Sequence, residues 1–146
     1  MSVPEQRQAV VVEARSWLRT PYHHQGRVKG GGVDCAMLLC DVYHNVGLIP
    51  FIDPRPYPPD WNMHRSAERY LGWVEQYAHR VELPRPGDIA MWKFGRCFAH
   101  GAIVEAWPSV IHAVAKERMC TRSDALVHSQ LVGREVMFYS LWTEGS

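Results

Sequence analysis

The chain has 146 residues, 47% hydrophobic and 21% charged, which is the make-up of one soluble globular domain with a real core. Sixteen lysines and arginines against fifteen aspartates and glutamates leave a net charge of +1, so composition supplies no field for nucleic acid or an anionic membrane. No apolar run approaches membrane-spanning length, so no membrane insertion is expected.

The start, Met1-Ser2-Val3-Pro4-Glu5-Gln6-Arg7-Gln8, has no basic region followed by an apolar stretch, so export by the general route is not expected. A first helix is predicted from about Pro4 to Leu18, where Val10, Ala14, Trp17 and Leu18 recur at three- and four-residue steps. Thr20-Pro21-Tyr22 ends it, because the residue before a proline avoids helical angles. A polar loop follows, with Gly26 and Gly30 to Gly32 as permissive backbone. Its Arg27 and Lys29, the nearest thing to a basic cluster, read as a solvated loop. The second helix is predicted from about Cys35 to Val46, with Asp34 as N-cap and Gly47 as the stop. Leu38, Leu39, Val42, Tyr43 and Val46 form its buried face.

Pro50, Pro54, Pro56, Pro58 and Pro59 mark an extended surface loop, a stiff connector or cleft lip rather than a ligand for a proline-binding module. A third helix is predicted from about Arg65 to His79, with Ala67, Tyr70, Leu71, Val74 and Tyr77 or Ala78 at helical steps. The second half changes character. Pro86-Gly87 is a turn, and strands are predicted over Asp88 to Phe94, Ala99 to Trp107, Val110 to Ala115 and Glu135 to Trp142. Helices first and an antiparallel sheet afterwards make an α+β single domain over residues 1–146.

Chemistry centres on Cys35, which follows an aspartate where the glycine-rich loop becomes a helix. A cysteine in the first turn sits among unpaired backbone N–H groups at the positive end of the helix dipole, which favours the nucleophilic thiolate. Such a nucleophile needs a base, and the base needs a group to orient it. Among eight histidines, His100 and His112 lie on neighbouring predicted strands joined by a short turn. By parity both project from one face as opposite or diagonal neighbours, within about 7–8 Å at Cβ. Parity leaves open which of them is the base. Cys35, Cys40, Cys97 and Cys120 read as reduced thiols, with Cys40 a small buried hydrophobe. Cys97 and His100 have metal-ligand spacing, but a second pair at zinc-finger distance is missing, and no metal or organic cofactor is expected. From chemistry alone Asp34 is an N-cap, Tyr22 a packed aromatic near a turn, and Asp88 a turn or capping residue.

Taken in order, Val33-Asp34-Cys35, Pro86-Gly87-Asp88-Ile89-Ala90, Ala99-His100-Gly101-Ala102-Ile103-Val104 and Val110-Ile111-His112-Ala113 resemble the NlpC-type cell-wall cysteine peptidases. That papain-like family reads approximately D-C, P-G-D, H-V-A-I and then a later polar residue, usually histidine. Trp17, Thr20-Pro21-Tyr22, Gly26, Gly30 and Asp34-Cys35 look most like its phage and prophage branch, including tail-associated and gene-transfer-agent peptidases. The resemblance runs from about residue 10 to residue 115.

It implies a papain-like fold with the nucleophile at a helix N-terminus packed on the C-terminal sheet. Cys35 is then the nucleophile, His100 the general base and acid, and His112 the orienting member. Tyr22 matches a tyrosine lining the cleft, and Asp34 a position that in some members helps hold a substrate amine. The implied reaction is hydrolysis of a peptidoglycan stem peptide, typically between γ-linked D-glutamate and a diamino acid, with phage tail proteins as partners. Such an enzyme is made in the cytoplasm and reaches the wall with a phage-like particle. One departure is plain: the family commonly has serine then glycine after the cysteine, and here Ala36 and Met37 follow. That leaves two alternatives beside the peptidase, a silent NlpC-like tail assembly module and another papain-like amidase or acyltransferase.

Overall fold

The computed structural model describes residues 1–56 and 65–143, and of residues 65–70 the backbone alone. The end of the proline-rich stretch and the side chains of Ala67 and Tyr70 therefore lie outside the described residues.

Helix α1 spans Val3–Arg15. Ser2 and Glu5 form a capping box that satisfies two N-terminal donors, and Pro4 occupies the first turn, where its missing N–H costs nothing. The helix stops three residues before the predicted Leu18. Trp17 and Leu18 donate to the carbonyls of Ala14 and Arg15, so the chain tightens into three-residue turns ahead of Pro21. Trp17 is still buried there, and its indole N–H donates to Glu13 at 2.9 Å.

The glycine loop closes as a ribbon of β1 (Arg27–Val28) and β2 (Gly32–Val33). Gly26 is required in that loop: a Cβ there would lie 2.8 Å from the Gly32 carbonyl. Helix α2, Cys35–Val46, starts at Asp34, whose Oδ1 accepts the Met37 N–H at 3.0 Å, and ends at Gly47 in the left-handed conformation. Every residue from Cys35 to Tyr43 is buried, not the single face predicted. An apolar run of this kind has no solvent side, and α2 packs on both α1 and the sheet. Its one buried carboxylate, Asp41, is paired with Arg27.

Helix α3 spans Arg65–Tyr77 and ends two residues before the predicted His79. His79 instead opens β3 (His79–Val81), pairing with Ser140. The remaining strands are β4 (Ile89–Phe94), β5 (Cys97–Ala106), β6 (Ser109–Val114), β7 (Met119–Asp124) and β8 (Val136–Ser140). Among the described residues they form one antiparallel sheet ordered β3-β8-β4-β5-β6-β7. Strand β7 has no counterpart in the sequence reading. Met119 to Asp124 is an edge strand on which Cys120 alone is buried, so it carries almost no apolar alternation.

The core has two halves, one on each sheet face. Met91, Ile103, Ile111 and Tyr139 pack against α1 and α2, while Trp92, Ala102, Val104 and Val110 pack beneath Ala125 and Leu131. Two buried carboxylates tie α1 to the sheet. Asp88 receives Arg7 at 2.8 Å and the Arg85 N–H, the anchoring role its turn position suggests. Glu105 receives Arg122, Arg15 and Ser109, and the Arg122 bonds above all hold it down to about 2.

Residues 19–22 join the sheet to the start of α2. Arg19 and Tyr22 donate to the carbonyls of Cys120 and Arg118 on and beside β7, and Thr20 accepts the Cys120 N–H. On the other side Pro21 accepts the Val33 N–H at 3.0 Å. The strand edge thereby fixes Tyr22 one residue pair away from the segment that leads into Cys35.

Candidate active site

Cys35 is the first residue of α2 and is 7% exposed. Its sulfur lies 3.9 Å from the Ala99 carbonyl oxygen, against the backbone of β5. It lines a cavity of about 150 Å³ together with Tyr22, Phe94, His100, Lys116 and Gln130. The cavity lies at the sheet end where β5 begins and β6 finishes, and α2 delivers the thiol to it.

The thiol is not pre-ionised. Burial raises Cys35 to about 12, and the neighbouring Asp34 carboxylate adds to the rise. Backbone N–H groups of Gly101, Ala36 and Cys35 pull the other way but do not prevail. The sequence expectation of a thiolate favoured by the helix mouth is therefore corrected. Helix-end donors are present as expected, yet burial of the sulfur outweighs them.

His100 and His112 meet. His100 Nε2 and His112 Nδ1 are 2.8 Å apart, and the rings cross at 69° with centroids 5.0 Å apart. They are diagonal neighbours, because Ile103 pairs with Ile111 across β5 and β6. The chain continues: His112 Nε2 lies 2.8 Å from Ser123 Oγ on β7. One proton arrangement lets His100 accept at Nδ1. His100 Nε2–H then donates to His112, and His112 Nε2–H donates to Ser123. Trp92 and Phe94 flank the His100 ring, at centroid distances of 6.0 and 5.4 Å.

Both imidazoles are held neutral. Burial pushes His100 down to about 4, helped by the charges of His128 and Arg134. His112, fully buried, is pushed to about 2 by burial first and then by His100. At neutral pH the cavity therefore holds a neutral thiol and a neutral base rather than an ion pair. Proton transfer from sulfur is uphill until attack is under way, so this arrangement suits transfer coupled to bond formation.

Tyr22 stands in the cavity wall, its phenol kept protonated by burial and by the neighbouring Cys35 and Asp34. Asp34 is not in the wall. Its carboxylate faces the backbone, accepting the N–H groups of Met37 at 3.0 Å and Gln25 at 2.7 Å. Ala36 and Met37 are fully buried and line no part of the cavity, so the departure at these positions takes no side chain from it. Cys97 and His100 converge on no metal site, since among the described residues no cluster of three or more ligating side chains occurs. No described helix is long and apolar enough to cross a membrane.

Four nearby residues escaped the sequence reading. Ser123 ends the imidazole chain, Lys116 and Gln130 line the cavity, and the His128 ring packs edge-on to His112 at 5.3 Å. His128 is also paired with Glu117.

Compared by sequence, the chain matches no protein-family model and no curated protein. Its fold matches solved NlpC/P60 structures. NlpC1 from Trichomonas vaginalis superposes with a TM-score of 0.71 at 15% identity, over 99% of this chain and 46% of that one. The chain thus spans about half the length of that protein. The NlpC/p60 domain of the peptidoglycan hydrolase SagA gives 0.60 at 19% identity, over 90% of this chain and 96% of that domain. The peptidoglycan hydrolase RipB from Mycobacterium tuberculosis gives 0.61 at 19% identity, over 98% and 69%. The architecture is the α+β, papain-like NlpC/P60 fold.

Proposed function

We propose that this chain is a cysteine peptidase of bacterial cell-wall peptides, cutting the stem peptide of peptidoglycan after γ-linked D-glutamate. The observation that carries the reading is the shared cavity of Cys35 and His100, with the second ring nitrogen of His100 held by His112 at 2.8 Å. It is supported by the likeness in fold to SagA and RipB, both called peptidoglycan hydrolases, and by the ordered motifs of the sequence.

In this mechanism His100 Nδ1 takes the Sγ proton as the sulfur attacks the amide carbonyl. The oxyanion is met by the N–H of Cys35 at the mouth of α2. The imidazolium returns its proton to the leaving amine nitrogen, the C–N bond breaks and a thioester remains. Water, losing its proton to His100, adds to the thioester and the C–S bond breaks, restoring the thiol. His112 and Ser123 hold the tautomer of His100 through both halves. Tyr22 borders the bound peptide, and Asp34, within the cap of α2, acts by shaping the helix mouth. No step calls for a metal or organic cofactor.

Delivery by a phage-like tail, with synthesis in the cytoplasm, belongs to the same proposal and is supported by the branch resemblance of Trp17 to Cys35. The silent-module alternative drew on Ala36 and Met37, which are buried and line no part of the cavity. The test is turnover of purified, defined muropeptides with the products read by mass spectrometry. The expected result is cleavage between D-glutamate and the diamino acid, abolished in Cys35→Ala and Cys35→Ser with the fold retained. Undiminished turnover by either variant refutes the assignment, and a different scissile bond replaces it with the amidase or acyltransferase alternative.

A further inference from the structure

We propose that Lys116 and Gln130 form a subsite that takes a free carboxylate on the substrate, so that the enzyme selects stem peptides whose D-glutamate α-carboxyl is unamidated; this rests on the peptidase reading above. Lys116, on the turn between β6 and β7, is the one formally charged side chain lining the cavity among the described residues. Gln130, on the segment between β7 and β8, lines the same wall with an amide that donates as well as accepts. A second cation stands behind them. The Arg134 guanidinium lies 3.8 Å over the Phe94 ring, also in the cavity wall, and its Nε donates to the Gln130 carbonyl at 2.8 Å.

The nearby carboxylates are engaged elsewhere. Glu117, next to Lys116, is paired with His128, and Asp34 behind the nucleophile receives the backbone N–H groups of Gln25 and Met37. Lys116 therefore brings positive charge to the wall it shares with Gln130, while the Asp34 carboxylate acts on Cys35 and Tyr22.

This wall is also built rather than loose. The Glu117–His128 pair joins the two segments that carry Lys116 and Gln130, and Lys116 Nζ donates to Ser129 Oγ at 3.4 Å. His128 Nδ1 accepts the Gln130 N–H at 3.1 Å, which sets the backbone at that residue. A γ-linked D-glutamate leaves its α-carboxyl free within a few bonds of the scissile carbonyl, near enough for a side chain of the same cavity. A carboxylate forms an ion pair with Lys116, whereas the carboxamide of an isoglutamine offers the ammonium only a neutral acceptor oxygen.

The experiment compares matched stem peptides differing only in α-carboxylate or α-carboxamide, with the wild-type chain and with Lys116→Arg, Lys116→Gln and Lys116→Glu. The wild type and Lys116→Arg should favour the carboxylate in kcat/KM by about tenfold. Lys116→Gln should bring the ratio near one and Lys116→Glu should invert it, with the change carried in KM rather than kcat. A ratio that Lys116→Glu leaves where it was overturns the subsite. Calorimetric binding of the same two peptides to Cys35→Ala and to Cys35→Ala/Lys116→Glu separates the two claims. A carboxylate preference that disappears with Lys116→Glu upholds the subsite even if the wild type cuts neither peptide. Equal binding of both peptides to Cys35→Ala overturns it.

Discussion

Helix α2 carries two buried thiols, Cys35 on its first turn and Cys40 on its second. Burial raises both to about 12, so neither is an anion at neutral pH. What differs is the ground they face. Cys35 borders a cavity with Tyr22, His100 and Lys116, and backbone N–H groups point at its sulfur. Cys40 borders a second cavity walled by Leu39, Tyr43, Val74, Ile89 and Leu141, with no imidazole among the described residues that line it. The pair teaches that position on a buried helix does not itself make a nucleophile. On the proposed reading, the two thiols are set apart by the imidazole that the sheet brings to the Cys35 cavity.

The strongest way to break that comparison is by turnover. Cys35→Ala and His100→Ala are each expected to lower kcat by about three orders of magnitude or more. Cys40→Ala should stay within a few-fold, and cost about 1 kcal/mol of stability by urea denaturation for the lost sulfur. Equal losses at the two cysteines would erase the distinction.

The next effect is on stability against pH. The folded pKa values of His100 and His112 lie below the ordinary histidine value, so the unfolded chain binds more protons as pH falls. Their stabilising contribution is complete above about pH 6.5 and is lost as pH drops toward 4 and below. Between pH 7 and pH 5 the urea-unfolding free energy should fall by about 1–2 kcal/mol for each ring. In His112→Asn the loss should shrink accordingly, and the acid limb of kcat/KM in the wild type should lie below pH 5.

Alkylation of the thiols sharpens the contrast further. Iodoacetamide at neutral pH, followed residue by residue by mass spectrometry, should modify Cys35 about tenfold more slowly in His100→Ala than in the wild type. Cys97, partly exposed and away from that cavity, serves as the internal reference. The smallest effect is at the end of the imidazole chain. Ser123→Ala should lower kcat a few-fold with KM unchanged, and a His112→Asn background should abolish that effect.

The helices, the strands β4, β5, β6 and β8 and the meeting of the two histidines were legible because each depends on local period. Helical spacing marks α1 and α2, and the two-residue period across a short turn puts His100 and His112 on one face. The protonation state of Cys35 was not legible, since it depends on how completely the sheet and Tyr22 exclude water around a helix end that in isolation would be wet. Ser123 was hidden with β7, a strand whose partner β6 supplies the apolar pattern while its own residues stay polar. His79 was read as helix because Tyr77 and Ala78 continue the helical step, while pairing with β8 is a contact 61 residues away in sequence. Lys116 and Gln130 lie in turns, where no periodicity exists to place them.

The backbone bonds of Arg19, Thr20 and Tyr22 to β7 have an effect beyond holding a tyrosine in place. They pair the outward N–H and C=O of Cys120 near the start of β7, groups that would otherwise be open to another chain. The opposite rim ends in β3, three residues long with exposed His79 and Arg80. With one margin partly covered and the other this short, the sheet offers little edge on which a second chain could add a strand.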